Sequence, residues 1–231
     1  MSAAGFHTTR WTLVIAAGEG AERALGDLCA QYRAPLVVHA RRRGLGDCDA
    51  EDAVQGFFER LLRLDSLAAL RRGQGRFRAF MLGAFNHYLS DQRDAALAAK
   101  RGGGRVGQLD TLAWSATADA ATPAPDVAFD RAWALALLAT TLDQLRAEHV
   151  EAGRGDWFDA LVPCLAGRDN DAPQADIATR VGVSEPALRV AVHRLRKRYR
   201  ELLRAEVAQT VADPAEIDAE LRHLIAAVRG A

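Results

Sequence analysis

Between Ser184 and Arg204 the chain carries seven lysine or arginine side chains and two glutamates, a local excess of five positive charges. A duplex phosphate backbone is the partner that suits such a stretch, because each neutralised phosphate releases condensed counterions. The run ahead of it, Gln174-Ala175-Asp176-Ile177-Ala178-Thr179-Arg180-Val181-Gly182-Val183-Ser184, gives that charge a direction. Ile177, Ala178 and Val181 supply one apolar face of a short helix, Gly182 a tight turn and Val183 a corner plug. Ser184 caps a second helix, which tolerates Pro186 in its first turn. There Leu188, Val192, Leu195, Tyr199 and Leu202 form an inner stripe, directing Arg189, Val190, His193, Arg194, Arg196, Lys197 and Arg200 outward. An arginine-rich helix taken alone is more often a solvated face. The turn before it favours a DNA-binding helix-turn-helix that enters a major groove.

A second helix has the opposite character. Asp47, Asp49, Glu51, Asp52, Glu59 and Asp65 against Arg60 and Arg63 leave four net negative charges, while Ala50, Val54, Phe57, Leu61 and Leu64 mark its buried stripe. Such a face repels DNA and fits a basic protein surface, with the Gln55 amide adding directional hydrogen bonds; the plain alternative is a solvated helix face. Beyond it, Arg71-Arg72-Gly73-Gln74-Gly75-Arg76-Phe77-Arg78-Ala79-Phe80 interleaves arginine with phenylalanine. Arginines that hold phosphates beside aromatic faces suit unstacked bases, although helical spacing also makes Phe80 and Phe77 candidates for the core.

These charged segments sit in a chain of 231 residues whose 30 Lys and Arg balance 30 Asp and Glu. That balance argues against a simple basic coat or an acidic mimic. Cys29, Cys48 and Cys164 form no CxxC pair or even disulfide set, so neither a zinc site nor a secreted scaffold is expected, and a reducing cytoplasm is. The apolar stretch from Trp11 to Ala17 does not read as a signal peptide, and no run approaches the ~20 apolar residues of a membrane helix. No phosphate loop, metal-ligand spacing or nucleophile constellation is visible, so the expectation is no enzyme and no cofactor.

Apolar residues recur at three and four almost throughout, which predicts an all-α protein. Helices are expected over 21–43, from Asp49 over the acidic stretch, from Gly75 or Arg76 to Arg93, over 126–148, around 157–165, over 174–181, from 184 or 185 to 207, and over 214–229. The expected organisation is a first helical domain (1–97), a flexible linker (98–127) rich in Gly, Ser, Thr and Ala that ends in Pro123-Ala124-Pro125, a helix-turn-helix domain (128–207) and a C-terminal extension (208–231). In the extension Ile217, Leu221, Leu224, Ile225 and Val228 give an apolar face expected to pack on the second domain. As the flexible linker allows, the same helix is expected to restrain both domains in a closed form.

Asp49-Ala50-Glu51-Asp52-Ala53-Val54-Gln55-Gly56-Phe57-Phe58 is similar to the Asp-Ala-Glu-Asp-Leu-Val-Gln-x-x-Phe motif of bacterial RNA polymerase sigma factors of the extracytoplasmic-function type. Phe77-Arg78-Ala79-Phe80-Met81 with Asn86, Asp91 and Arg93 resembles that family's promoter-opening helix, and the helix-turn-helix follows in the family's order. The resemblance covers about 20–95 and 133–205. It implies a specificity subunit in which Asp49, Glu51, Asp52, Gln55 and Glu59 dock on the clamp helices of the polymerase beta-prime subunit, with the beta flap as a further contact. It also implies that Arg71, Arg72, Arg76, Phe77, Arg78 and Asn86 engage melted minus-10 DNA. The minus-35 duplex then falls to Ser184, Glu185, Arg189, Val190, His193 and Arg194 at base edges and Arg196, Lys197 and Arg200 on phosphates. Relatives are controlled by an anti-sigma factor, by a kinase or by appended segments. Two departures remove any implied promoter sequence: extra residues between Leu145 and Gln174, and Ala187-Leu188 where the family has Thr-Val. The competing function is a helix-turn-helix regulator that does not bind core polymerase.

Overall fold

The computed structural model describes residues 21–63, 76–100, 127–166, 174–211 and 213–229. They are almost entirely helical: α1 (Ala21–Arg42), α2 (Asp47–Arg63), α3 (Phe77–Lys100), α4 (Val127–Glu151), α5 (Gly155–Leu161), α6 (Gln174–Val181), α7 (Glu185–Ala208) and α8 (Ile217–Arg229). Two 3-10 turns, Val162–Ala166 and Pro214–Glu216, stand before the gap to α6 and before α8. The all-α expectation is met. α3 runs seven residues beyond the expected end at Arg93, through Asp94-Ala95-Ala96-Leu97-Ala98-Ala99-Lys100, a stretch of strong helix formers with nothing to stop it. Four residues assigned to the linker, 98–100 and Val127, are therefore helical; the rest of it, 101–126, lies outside the described residues.

The chain forms two compact units. Leu137–Glu206 is one; the residues before it and after it make up the other, so both boundaries fall inside helices, α4 and α7. This differs from the expected cuts at 128 and 207: the first turns of α4 and the whole C-terminal extension belong with the N-terminal helices.

In the discontinuous unit, α1 buries Tyr32, Leu36 and Val37, α2 buries Ala50, Val54, Phe57 and Leu61, and α3 buries Phe77, Met81, Phe85 and Tyr88. Leu64, predicted for the α2 stripe, lies outside what is described. Phe129 and Trp133 from the start of α4 complete the core. Aromatic edges meet faces: Tyr32 and Phe77 are 5.1 Å apart and Phe57 and Phe85 5.2 Å, in arrangements each worth about 0.5–1.5 kcal/mol beyond area burial. α1 ends at Gly44, whose φ of 94° is a helix-stop conformation that few other residues adopt. The short connection that follows leads directly into α2, with Asp47 and Asp49 in its first turn.

The continuous unit packs Leu145 of α4, Phe158 and Leu161 of α5, Cys164 of the 3-10 turn, Ile177 and Ala178 of α6, and Leu188, Leu195 and Leu202 of α7 into one cluster. Val192 and Tyr199 flank it, so the five-residue inner stripe expected for α7 is the observed one. Tyr199 Oη donates to the Leu138 carbonyl at 3.1 Å, and the Arg198 guanidinium forms two bonds to the Glu148 carboxylate.

Candidate nucleic-acid and protein interfaces

α6 and α7 are joined by Gly182, Val183 and Ser184. Gly182 takes φ 70°, the Val183 amide donates to the Ala178 carbonyl at 3.0 Å, and the Leu188 amide to the Ser184 carbonyl at 2.9 Å. The Ser184 hydroxyl accepts from the Ala187 amide at 3.4 Å, as an N-cap does. Val183 does not plug the corner. It is 37% exposed, and Ile177, Ala178 and Leu188 fill the inside instead.

Ser184, Glu185, Arg189, Val190, His193 and Arg194 are all exposed on one end of α7, with Val190 at 52%. Lys197 and Arg200 are exposed further along. Arg196 departs from the expectation. Its Nε and Nη2 both donate to the Cys164 carbonyl, at 3.2 and 2.6 Å, so the guanidinium completes the hydrogen bonding of the 3-10 turn instead of standing ready for a phosphate.

On α2, Asp49, Asp52, Gln55 and Glu59 are exposed, and Glu51 is half-buried. Gln55 Nε2 donates to Glu59 Oε1 at 3.2 Å, while Glu51 pairs with Arg33 at 2.8 Å and Asp47 with Arg41 at 2.9 Å. The acidic face is therefore partly compensated at its edge next to α1, and Asp49, Asp52 and Gln55 are its outward part. One turn beyond Asp52, on the flank of the same face, Gly56 lets the helix approach α3: a Cβ built there would lie 2.5 Å from Tyr88 Oη.

The start of α3 is less accessible than its sequence suggests. Arg71 and Arg72 lie outside the described residues. Phe77 is fully buried in the aromatic core and offers no face to a base. The Arg78 side chain is only 11% exposed: its Nε donates to Glu220 Oε1 at 3.0 Å, its Nη1 pairs with Asp130, and its guanidinium lies over the Trp133 ring, 5.3 Å from the centroid. Burial works against that charge, but Glu220 and Asp130 together outweigh it and hold Arg78 more firmly protonated than a free arginine. Arg76 pairs through Nε with Glu220 Oε2 at 3.0 Å. Asn86 is half-buried, its Oδ1 2.7 Å from His39 Nε2, which ties α3 to α1.

Residues that sequence reasoning did not single out thus surround this segment. Glu220 is buried on α8, Asp130 is buried on α4, and His223 lies 2.9 Å from Asp130. Local sequence carried no sign of the pairing, since Arg78 and Glu220 are 142 positions apart. Of the stripe predicted for the extension, Leu224 is buried and Ile217, Leu221 and Val228 are half-buried, but Ile225 is 47% exposed, and Glu220 and Ala227 are buried beside them. α8 belongs to the discontinuous unit, where it meets Arg76 and Arg78 through Glu220 and Asp130 through His223.

Among the described residues no group of His, Cys, Asp and Glu is arranged to hold a metal ion, and no helix is long and apolar enough to cross a membrane. No protein-family model, curated protein or solved structure matches this chain.

Proposed function

We propose that the chain is a bacterial RNA polymerase sigma factor of the extracytoplasmic-function type, which binds core polymerase and directs promoter-specific initiation. The observation that carries this reading is a separation of charge onto two accessible faces: Asp49, Asp52, Gln55 and Glu59 on α2, and Arg189, Val190, His193 and Arg194 on α7. The first cannot bind DNA and suits basic clamp helices; the second has the length and charge of a major-groove helix behind a capped turn. In this reading α6 and α7 are the helix-turn-helix of a minus-35-binding domain. Arg189 and its neighbours read base edges, while Lys197 and Arg200 hold phosphates. α3 and the segment before it act on the minus-10 element, where unstacking a base costs a few kcal/mol, offset by a protein pocket.

Retention of core polymerase tests the reading and separates it from a regulator that acts without polymerase. The wild-type chain is expected to retain purified core enzyme, and Asp52→Ala/Gln55→Ala to lose it. Failure of the wild type to do so transfers the case to the regulator, for which the α2 face has no task. On DNA, Arg189→Ala is expected to weaken a matched promoter far more than a scrambled one, and Arg200→Ala to weaken both alike.

A further inference from the structure

The arginines nearest the start of α3 are not waiting for a ligand; they already hold an anion. One carboxylate, Glu220, bridges Arg76 through Oε2 and Arg78 through Oε1, both at 3.0 Å. Arg78 Nε donates a hydrogen bond to Oε1, whereas Arg76 meets Oε2 as an ion pair alone; two oxygens of a strand phosphate would face the same two guanidinium groups. We propose that Glu220 is a built-in substitute for a nucleic-acid phosphate, and that α8 is a displaceable cover over a strand-binding site formed by Arg76 and Arg78.

Charge and anchorage both support displacement. With α8 in place, Arg76 and Arg78 face Glu220 and Asp130, and the cluster is formally neutral; without Glu220 it carries one positive charge. A phosphate that replaces Glu220 exchanges one anion for another, so the buried guanidinium of Arg78 is never left unpaired, which is the costly state. α8 has only 13 residues, and besides Glu220 it buries Leu224 and Ala227. A helix of that length is marginal in isolation and stays formed chiefly through its packing.

The root of the cover is fixed separately. The Phe77 amide donates to the Thr210 carbonyl at 3.0 Å, Arg76 and Val211 form an antiparallel bridge, and Thr210 and Val211 are buried. The 3-10 turn Pro214–Glu216, entered through the Asp213 cap on the Ala215 amide, lies between this anchor and α8. α8 can therefore leave while the strand-like tie at 210–211 remains.

The inference rests on the reading of this unit as a DNA-opening domain, and the test separates the two. The probe is a fluorescein-labelled, 12-nucleotide single-stranded DNA, titrated into the full chain and read by anisotropy. Glu220→Gln keeps the shape and removes the charge, and Leu224→Ala loosens α8 without touching an arginine. Each is expected to tighten binding at least about tenfold, the worth of one charge-assisted hydrogen bond, and Arg78→Ala added to either is expected to remove the gain. In the wild type, saturating oligonucleotide is expected to speed amide exchange over 217–229. Wild-type affinity in both variants with native circular dichroism, a gain that survives Arg78→Ala, or exchange over 217–229 that is unchanged or slowed overturns the proposal. Should a variant not fold, the wild-type exchange decides. A chain that retains core polymerase but fails these tests loses only the cover; one that passes them without retaining polymerase keeps the cover and loses the sigma-factor reading.

Discussion

Replacing Arg196 with alanine is expected to destabilise the protein and leave its DNA contacts intact, the reverse of what the basic face of α7 suggests. Arg196 donates twice to the Cys164 carbonyl. A hydrogen bond from a charged donor contributes about 1.5–3 kcal/mol net, and its loss leaves that carbonyl without this donor. For a chain of 231 residues, each kcal/mol moves the thermal midpoint by about 2–4 °C, so Arg196→Ala is expected to melt roughly 3–12 °C lower. Arg200 is exposed, and its replacement is expected to change stability by no more than about 0.5 kcal/mol. The assay pairs circular dichroism melts with promoter-duplex titrations at several salt concentrations. Arg200→Ala is expected to reduce the slope of log K against log salt by about one, and Arg196→Ala to leave it unchanged. An Arg196→Ala protein that melts with the wild type and loses one unit of slope would refute the assignment.

Further perturbations probe other contacts. Gly56→Ala gains helix propensity of about 1 kcal/mol but drives a methyl group to 2.5 Å from Tyr88 Oη, so a net destabilisation of about 1–3 kcal/mol is expected in urea titrations, with recovery in Gly56→Ala/Tyr88→Phe. Iodoacetamide followed by mass spectrometry is expected to modify Cys48, which is exposed beside the acidic face, and to spare Cys29, whose thiol burial pushes up to about 12; bound core polymerase is expected to protect Cys48. The carboxyl of Glu148 is held below its usual 4.5 by hydrogen bonds from Arg198. Its contribution is therefore complete above pH 4.5 and lost as pH falls through the lower folded value. At this exposure it amounts to at most about 1 kcal/mol, so Glu148→Gln is expected to lower the melting point slightly at pH 7 and not at the acid end of that window.

Local patterns were legible wherever one helix face decides the structure. The stripes of α2 and α7, the Gly182 turn and the Ser184 cap followed from spacing and side-chain chemistry, because those interactions span four residues or fewer. What spacing could not supply was the partner of each charged group. Arg196 and Arg200 occupy the same outward arc on a helical wheel, and only the 3-10 turn against α7 separates a structural donor from a free cation. Similarly, Arg78 in a basic run and Glu220 in a C-terminal tail each look solvated until the fold brings them together. In α8 the apolar stripe was legible except at Ile225, but a periodicity of apolar residues does not anticipate the buried carboxylate of Glu220, which becomes tolerable only beside two guanidinium groups.

The distance in sequence between Arg78 and Glu220 also sets an order of events during synthesis. A ribosome adding ~5–20 residues per second needs roughly 7–28 s to cover the 142 positions between them. Throughout that interval the nascent chain carries its basic segment without the carboxylate that will neutralise it, whereas the contiguous stretch 137–206 is complete earlier. The N-terminal unit is thus the last to close, and a chain cut short before residue 220 leaves the ribosome without the carboxylate that meets Arg76, and with Arg78 paired to Asp130 alone.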